Sequence, residues 1–191
     1  MKKKLILDVN KLAKDRKYFD ISSIYPSRNH KYLAYGQDIN GRREYSIVIR
    51  DINKNKFLEE NKCSSTGNIV WNENSDGYFY LKKDPKTLIA NSLFFHKLGT
   101  SVKKDELIFK ENDREYNLSI SLSRTKKYLL LQVSKTESNE FWYLNLEEKN
   151  SNLECFLKRK NKHLYYIDDS PDRFFIMSNR ENKKNFALYE T

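Results

Sequence analysis

Apolar and aromatic residues are grouped along this chain in short runs separated by polar turns, and the runs lack the periodicity of a helical face. The stretch from Lys31 to Asp51 shows the pattern most fully. Tyr32-Leu-Ala-Tyr35 and Tyr45-Ser-Ile-Val-Ile49 carry the aromatic and β-branched residues that suit half-buried pleated positions. Asn40-Gly41 between them predicts a hairpin with a type I′ turn, since both residue types tolerate positive φ. The first run recurs as Tyr78-Phe-Tyr-Leu81, Tyr128-Leu-Leu-Leu131 and Arg173-Phe-Phe-Ile176; Tyr32, Tyr78, Tyr128 and Phe174 stand 46, 50 and 46 residues apart. The second recurs as Asn91-Ser-Leu-Phe-Phe95, Asn139-Glu-Phe-Trp-Tyr143 and Lys184-Asn-Phe-Ala-Leu188, with Ile47, Leu93, Phe141 and Phe186 stepping by 46, 48 and 45. Two landmarks sharing one period, each unit supplying several strands, is the pattern of propeller blades.

The rest of the chain fits that frame. Residues 1–18 read as a lead-in, with a helical turn near Asp8 to Lys17 that Asn10 could cap. Blades are expected at 19–62, 63–113 and 114–160, and an incomplete one at 161–191. Lys56 to Glu60 reads as an outgoing edge strand and Ile69-Val-Trp-Asn72 as the strand that opens the second blade. The expected fold class is therefore all-β, a partial propeller of about three and a half four-stranded antiparallel blades. A small β-sandwich with misread repeats is the competing architecture.

Composition adds limits rather than direction. Aromatic residues are plentiful and Gly and Pro scarce, which argues against disorder. The formal charge of +10 invites a nucleic-acid reading, but the basic residues are dispersed and mixed with acids, as in Lys54 to Lys62. Lys, Asn, Ile, Tyr and Phe are abundant together, as an A- and T-rich genome would produce, so a solvated surface is the expected use. Cys63 and Cys155 have neither CxxC spacing nor a flanking His and read as reduced thiols. Met1-Lys-Lys-Lys-Leu-Ile-Leu-Asp8 imitates the start of a signal peptide, but Asp8 ends the apolar run too early. A cytoplasmic chain without membrane contact is expected.

Candidate chemistry is sparse. Gly36-Gln-Asp-Ile-Asn-Gly41 has the glycine spacing of a phosphate loop, yet Arg42-Arg43 stand where Lys-Ser/Thr is needed, and the stretch joins two strands. Asp38-Ile-Asn-Gly41 begins like a calcium loop, but Ile49 replaces the bidentate Glu. His30, His96 and His163 lie on different repeats and read as surface or packed residues. Asp168, Asp169 and Asp172 read as a turn. Trp71 and Trp142 could stack a sugar or a base, though packing between blades is the expected use. No catalytic residue, metal ligand or cofactor is expected.

Several motifs come in one order: Leu7-Asp-Val-Asn-Lys-Leu-Ala13, Leu33-Ala-Tyr-Gly36 with Asp38, Gly41-Arg-Arg-Glu-Tyr45, Gly67-Asn-Ile-Val-Trp71 and Lys83-Asp-Pro-Lys-Thr87. His96-Lys-Leu-Gly-Thr100, Ser123-Arg-Thr-Lys-Lys-Tyr128, Asp172-Arg-Phe-Phe-Ile-Met-Ser-Asn179 and Lys184-Asn-Phe186 continue it. This ordered set closely resembles the propeller of the oligopeptidase B (protease II) branch of the prolyl oligopeptidase family of serine peptidases. The resemblance implies a seven-bladed propeller that caps an α/β-hydrolase domain and admits short peptides, which are cleaved after basic residues by a Ser-Asp-His triad. No position here matches a triad residue. The resemblance thus implies a non-catalytic, substrate-gating segment, inactive alone, from a split or truncated gene. Its partners would be the missing blades and a separately encoded hydrolase domain, with short peptides bound only in the assembled enzyme. A stand-alone propeller-like protein-interaction module is the alternative.

Overall fold

The computed structural model describes residues 3–181 and 183–191. Met1 and Lys2, where the signal-like start begins, lie outside the described residues. Strands dominate, with one short helix, α1 (Val9–Ala13), and a 3-10 turn at Val102–Lys104. The carboxylate of Asp8 caps α1 by accepting from the Lys11 amide at 3.3 Å; Asn10, the cap expected from the sequence, lies inside the helix. The chain divides into two compact units, the first ending at Ile108 and the second running Phe109–Thr191.

In the first, β1 (Asp20–Pro26), β2 (Tyr32–Asp38), β3 (Tyr45–Asp51), β4 (Lys56–Trp71), β5 (Gly77–Lys83), β6 (Ala90–Lys97) and β7 (Glu106–Lys110) neighbour one another in chain order. The unit boundary falls within β7. β4 departs from the sequence reading, which had two strands where one runs through. Its first half pairs with β3, from Asp51↔Lys56 to Tyr45↔Ser65, and its end pairs with β5, from Ile69↔Tyr80 to Trp71↔Tyr78. Register shifts on both sides bend the strand without breaking it, as bulges do. Gly67, at φ +81°, sits at the bend against Gly36 of β2. A Cβ on Gly36 would lie 2.6 Å from the Gly67 Cα, so neither a side chain nor an ordinary backbone fits there. Ser22 closes the crossing: its Oγ accepts from Gly36 N at 2.8 Å and donates to Gly67 O at 3.0 Å.

The two halves of this sheet share one apolar cluster. Ala34, Ile47 and Ile49 come from β2 and β3, and Ile69, Trp71, Tyr78 and Tyr80 from β4 and β5. Alternation along each strand puts these residues on one face. The indole of Trp71 stacks on Tyr32 at 6.2 Å and donates to Tyr25 O at 2.9 Å. Trp71 is therefore a packing residue closed to ligands.

The hairpin between β2 and β3 is not a two-residue type I′ turn. Positive φ falls at Gly41 (+73°) and Arg43 (+56°), not at Asn40. The buried Asp38 carboxylate organises the longer loop, accepting from Asn40 N at 2.9 Å, Gly41 N at 3.0 Å and Arg43 N at 2.7 Å. Three local donors outcompete the tight turn that Asn-Gly favours.

In the second unit β8 (Asn117–Leu122), β9 (Tyr128–Lys135), β10 (Ser138–Asn145) and β11 (Glu154–Leu157) form a four-stranded sheet. β12 (Tyr165–Asp169), β13 (Phe174–Ser178) and β14 (Ala187–Glu190) form a three-stranded one. Aromatic pairs fill the space between them, among them Tyr128–Phe174 at 5.2 Å and Phe141–Tyr165 at 5.4 Å. Asn139, fully buried, acts as a piece of backbone across the gap. Its amide donates to Tyr165 O at 2.7 Å and accepts from Tyr165 N at 3.0 Å.

One turn occurs twice and ties one group of strands to the next within each unit. Ser27-Arg-Asn-His-Lys-Tyr32 joins β1 to β2, and Ser123-Arg-Thr-Lys-Lys-Tyr128 joins β8 to β9. In both, the serine Oγ accepts from the tyrosine amide, at 2.9 Å and 3.1 Å, and the residue two before the tyrosine has positive φ. In the first turn Arg28 pairs with Glu73, and Asn29 N donates to Ser75 Oγ at 3.2 Å. In the second, Arg124 pairs with Asp168 at 2.7 Å, while Thr125 N and Ser123 Oγ donate to Asp169 at 3.0 Å and 2.9 Å. These ties span 44 to 46 residues, so the sequence period reappears as hydrogen bonds.

Candidate functional site

The phosphate-loop and calcium-loop spacings are structural. The Gly36 amide is held by Ser22, the Gly41 amide by Asp38, and both Asp38 oxygens point at their own loop. Nothing remains there for a phosphate or a cation to displace cheaply.

The three histidines take different roles. His30 is exposed in its turn. His96, on β6, is 2% exposed and sits between two carboxylates: Nδ1 is 2.6 Å from Asp105 and Nε2 is 3.1 Å from Glu59. Tyr80 donates to the other Asp105 oxygen at 2.8 Å, and Gly99 N to the other Glu59 oxygen at 2.7 Å. Burial works against a charged imidazole, but hydrogen bonds to Glu59 and Asp105 prevail, and the His96 pKa is raised. With both ring nitrogens engaged by carboxylates, His96 cannot accept a proton from a nucleophile. Cys63 nearby is no nucleophile either, because burial pushes its thiol up to about 12. Sequence reasoning missed Glu59 and Asp105, which lie 37 and 9 residues from His96 and carry no local signal.

His163 stands beside a serine. Its Nε2 is 2.9 Å from Ser178 Oγ, the distance of a nucleophile and its base. The resemblance stops there. Ser178 is 4% exposed, its oxygen already accepts from Arg180 N at 3.1 Å, and His163 Nδ1 has no hydrogen-bond partner among the described residues. A base without an orienting carboxylate, beside a closed serine, does not make an acyl-transfer centre.

The aspartates also separate. Asp168 and Asp169 end β12 and do not lie in the turn expected from the sequence; only Asp172 does, pairing with Arg173 at 2.8 Å. Asp169 is drawn into the strand by the donors of Ser123 and Thr125. Burial alone would raise its pKa, but the Thr125 and Ser123 hydrogen bonds outweigh it and the pKa is lowered. Trp142 donates to Glu140 at 3.0 Å. Cys63 and Cys155 are free thiols. Among the described residues no group of three His, Cys, Asp or Glu side chains is placed to hold a metal ion, and no helix is long and apolar enough to cross a membrane.

Comparison with known proteins accounts for these sheets. Residues 1–191 match the family described as prolyl oligopeptidase, N-terminal beta-propeller domain. The chain is 29% identical over 184 residues to dipeptidyl aminopeptidase BI of Pseudoxanthomonas mexicana, covering 96% of this chain and 25% of that protein. It is also 29% identical over 186 residues to protease 2 of Moraxella lacunata, with 96% and 27% covered. Oligopeptidase B from Leishmania major superposes with a TM-score of 0.92 at 22% identity, over 97% of this chain and 26% of that one. Oligopeptidase B from Trypanosoma brucei gives 0.88 at 23%, over 98% and 26%. The chain spans about a quarter of the length of these relatives. Family match and fold agree: the chain belongs to the N-terminal β-propeller domain family of the prolyl oligopeptidases.

Proposed function

We propose that the chain is the non-catalytic, substrate-gating propeller of an oligopeptidase-B-like peptidase. Its successive blades would be residues 19–62, 63–113, 114–160 and 161–191. It would limit access by size and charge, while bond cleavage after basic residues belongs to a hydrolase domain carrying a Ser-Asp-His triad. That domain and further blades are the partners this reading requires, and short peptides are its substrates only in the assembled enzyme. The cytoplasm is the compartment that suits such an enzyme.

The observation that carries the reading is the family match along residues 1–191, joined to the oligopeptidase B fold at a TM-score of 0.92. The test is turnover of a chromogenic peptide with arginine before the scissile bond. The purified chain is expected to give none, and a hydrolase-domain polypeptide is expected to co-purify with it. Turnover by the chain alone would overturn the proposal.

A stand-alone protein-interaction module is the second reading. It is favoured by one feature, an exposed apolar row across the three-stranded sheet, where Tyr166, Met177 and Leu188 stand opposite one another and are 43%, 45% and 71% exposed.

A further inference from the structure

Several basic side chains in this protein pair with acids. Arg28 pairs with Glu73, Arg124 with Asp168, Arg159 with Glu111, Lys135 with Glu115, and Arg173 with Asp172 and Glu190. One place gathers cations that do not. Where the connection between β11 and β12 meets the loop after β13, a cleft of about 390 Å³ is lined by Lys158, Lys160, Lys162 and Arg180. None of the four has an ion pair among the described residues. The one acid in the wall is Glu181, so the cleft carries an uncompensated charge of three. Cations gathered around one concave wall repel one another, and an anion relieves that repulsion.

The walls are built rather than loose. Asn179 Nδ2 donates to Lys162 O at 3.2 Å, and Asn179 Oδ1 accepts from Leu164 N at 2.9 Å, which fixes the two loops together. Ser138 Oγ donates to Lys160 O at 2.9 Å, anchoring the lysine run to β10. Leu157, 37% exposed, adds an apolar foothold at the rim.

We infer that this cleft is a docking site for an acidic peptide segment, with Lys158, Lys160, Lys162 and Arg180 holding its carboxylates and Leu157 an apolar side chain. Nucleic acid fits less well. His163, the one aromatic ring in the wall, already stacks on Tyr165 at 5.3 Å, so the wall lacks the row of aromatic platforms on which successive bases stack. The site does not depend on the gating proposal, since it needs no catalytic partner.

His163 supplies a reporter that needs no mutation. Burial, then Arg180 and Lys160, holds its pKa below the usual value. Carboxylates seated in the cleft oppose those cations, so the His163 ring protons should titrate at higher pH when the site is filled. The experiment measures anisotropy of a fluorescein-labelled hexaglutamate-leucine peptide with the full chain at low salt, alongside NMR titration of His163. Saturable binding is expected, weakening with salt, together with the upward His163 shift. Combined Lys158→Glu, Lys160→Glu and Lys162→Glu should weaken binding by roughly tenfold or more. Lys54→Glu, Lys56→Glu and Lys86→Glu, which change net charge equally on exposed positions elsewhere, should leave it within about twofold. Equal loss in both variants, an unmoved His163 titration, or no saturable binding would each overturn the inference. Tighter binding of a single-stranded oligonucleotide through the same lysines would overturn the peptide assignment.

Discussion

Two buried carboxylate sites, one in each unit, are satisfied in opposite ways. In the first, Asp105 and Glu59 close on an imidazole that can carry charge. In the second, Asp169 closes on hydroxyls and an amide that never titrate in the accessible range. The first arrangement matches charge with charge and depends on a proton. The second solvates an anion with neutral dipoles and depends only on geometry. Buried acids in one fold can thus respond to pH with opposite sign.

The largest effect is expected at His96. His96→Ala leaves Asp105 and Glu59 facing each other without a cation, and stability at pH 6 should drop by about 3–5 kcal/mol, read from the urea midpoint. The wild-type profile adds a signature. A raised His96 pKa stabilises fully below the unfolded value of about 6.5, and that contribution disappears as pH rises through the folded value. His96→Ala should lack this alkaline loss; an unchanged profile would show that the imidazole is neutral in place.

Asp169→Ala comes next, at about 2–3 kcal/mol, because Ser123 and Thr125 lose a charged acceptor in a dry site. Here the pH dependence has the other sign. A lowered Asp169 pKa gives stability above the unfolded value of about 3.9, lost as pH falls through the folded one. Acid unfolding that is the same in the variant and the wild type would refute the assignment. Trp71→Phe removes the bond to Tyr25 O while keeping most of the ring and should cost about 1 kcal/mol in the same assay. Arg28→Ala is the smallest. Glu73 is 45% exposed, so losing this pair should change stability by less than about 1 kcal/mol. A larger loss there would mean that the exposed and buried ties are energetically alike.

Strand positions were legible because short apolar and aromatic runs bounded by polar turns report buried strands, as at Tyr128 to Lys135 and Ser138 to Asn145, where consecutive residues are buried. The period was legible because the same pair of adjacent strands recurs, as β2–β3, β5–β6, β9–β10 and β13–β14. What escaped was chemistry settled by distant partners. Asp38 overrode the Asn40-Gly41 turn signal with three hydrogen bonds of its own. Asp169 read as a turn residue because its donors, Ser123 and Thr125, lie more than forty positions away. The Lys158 to Lys162 run looked like ordinary dispersed charge, and only folding brings Arg180 to it.

The continuity of Lys56–Trp71 has a consequence for how such a molecule can be divided or inherited. A strand shared by the two halves of one sheet offers no joint. Proteolysis or a gene-shuffling breakpoint inside it strips a ladder from both neighbours at once, so the two halves of this sheet should melt, exchange amide hydrogens and recombine as one block. By contrast, β11 ends before β12 begins, and a polar connection separates them. A cut in that connection interrupts no strand, whereas the bend at Gly67 is among the hardest places to cut.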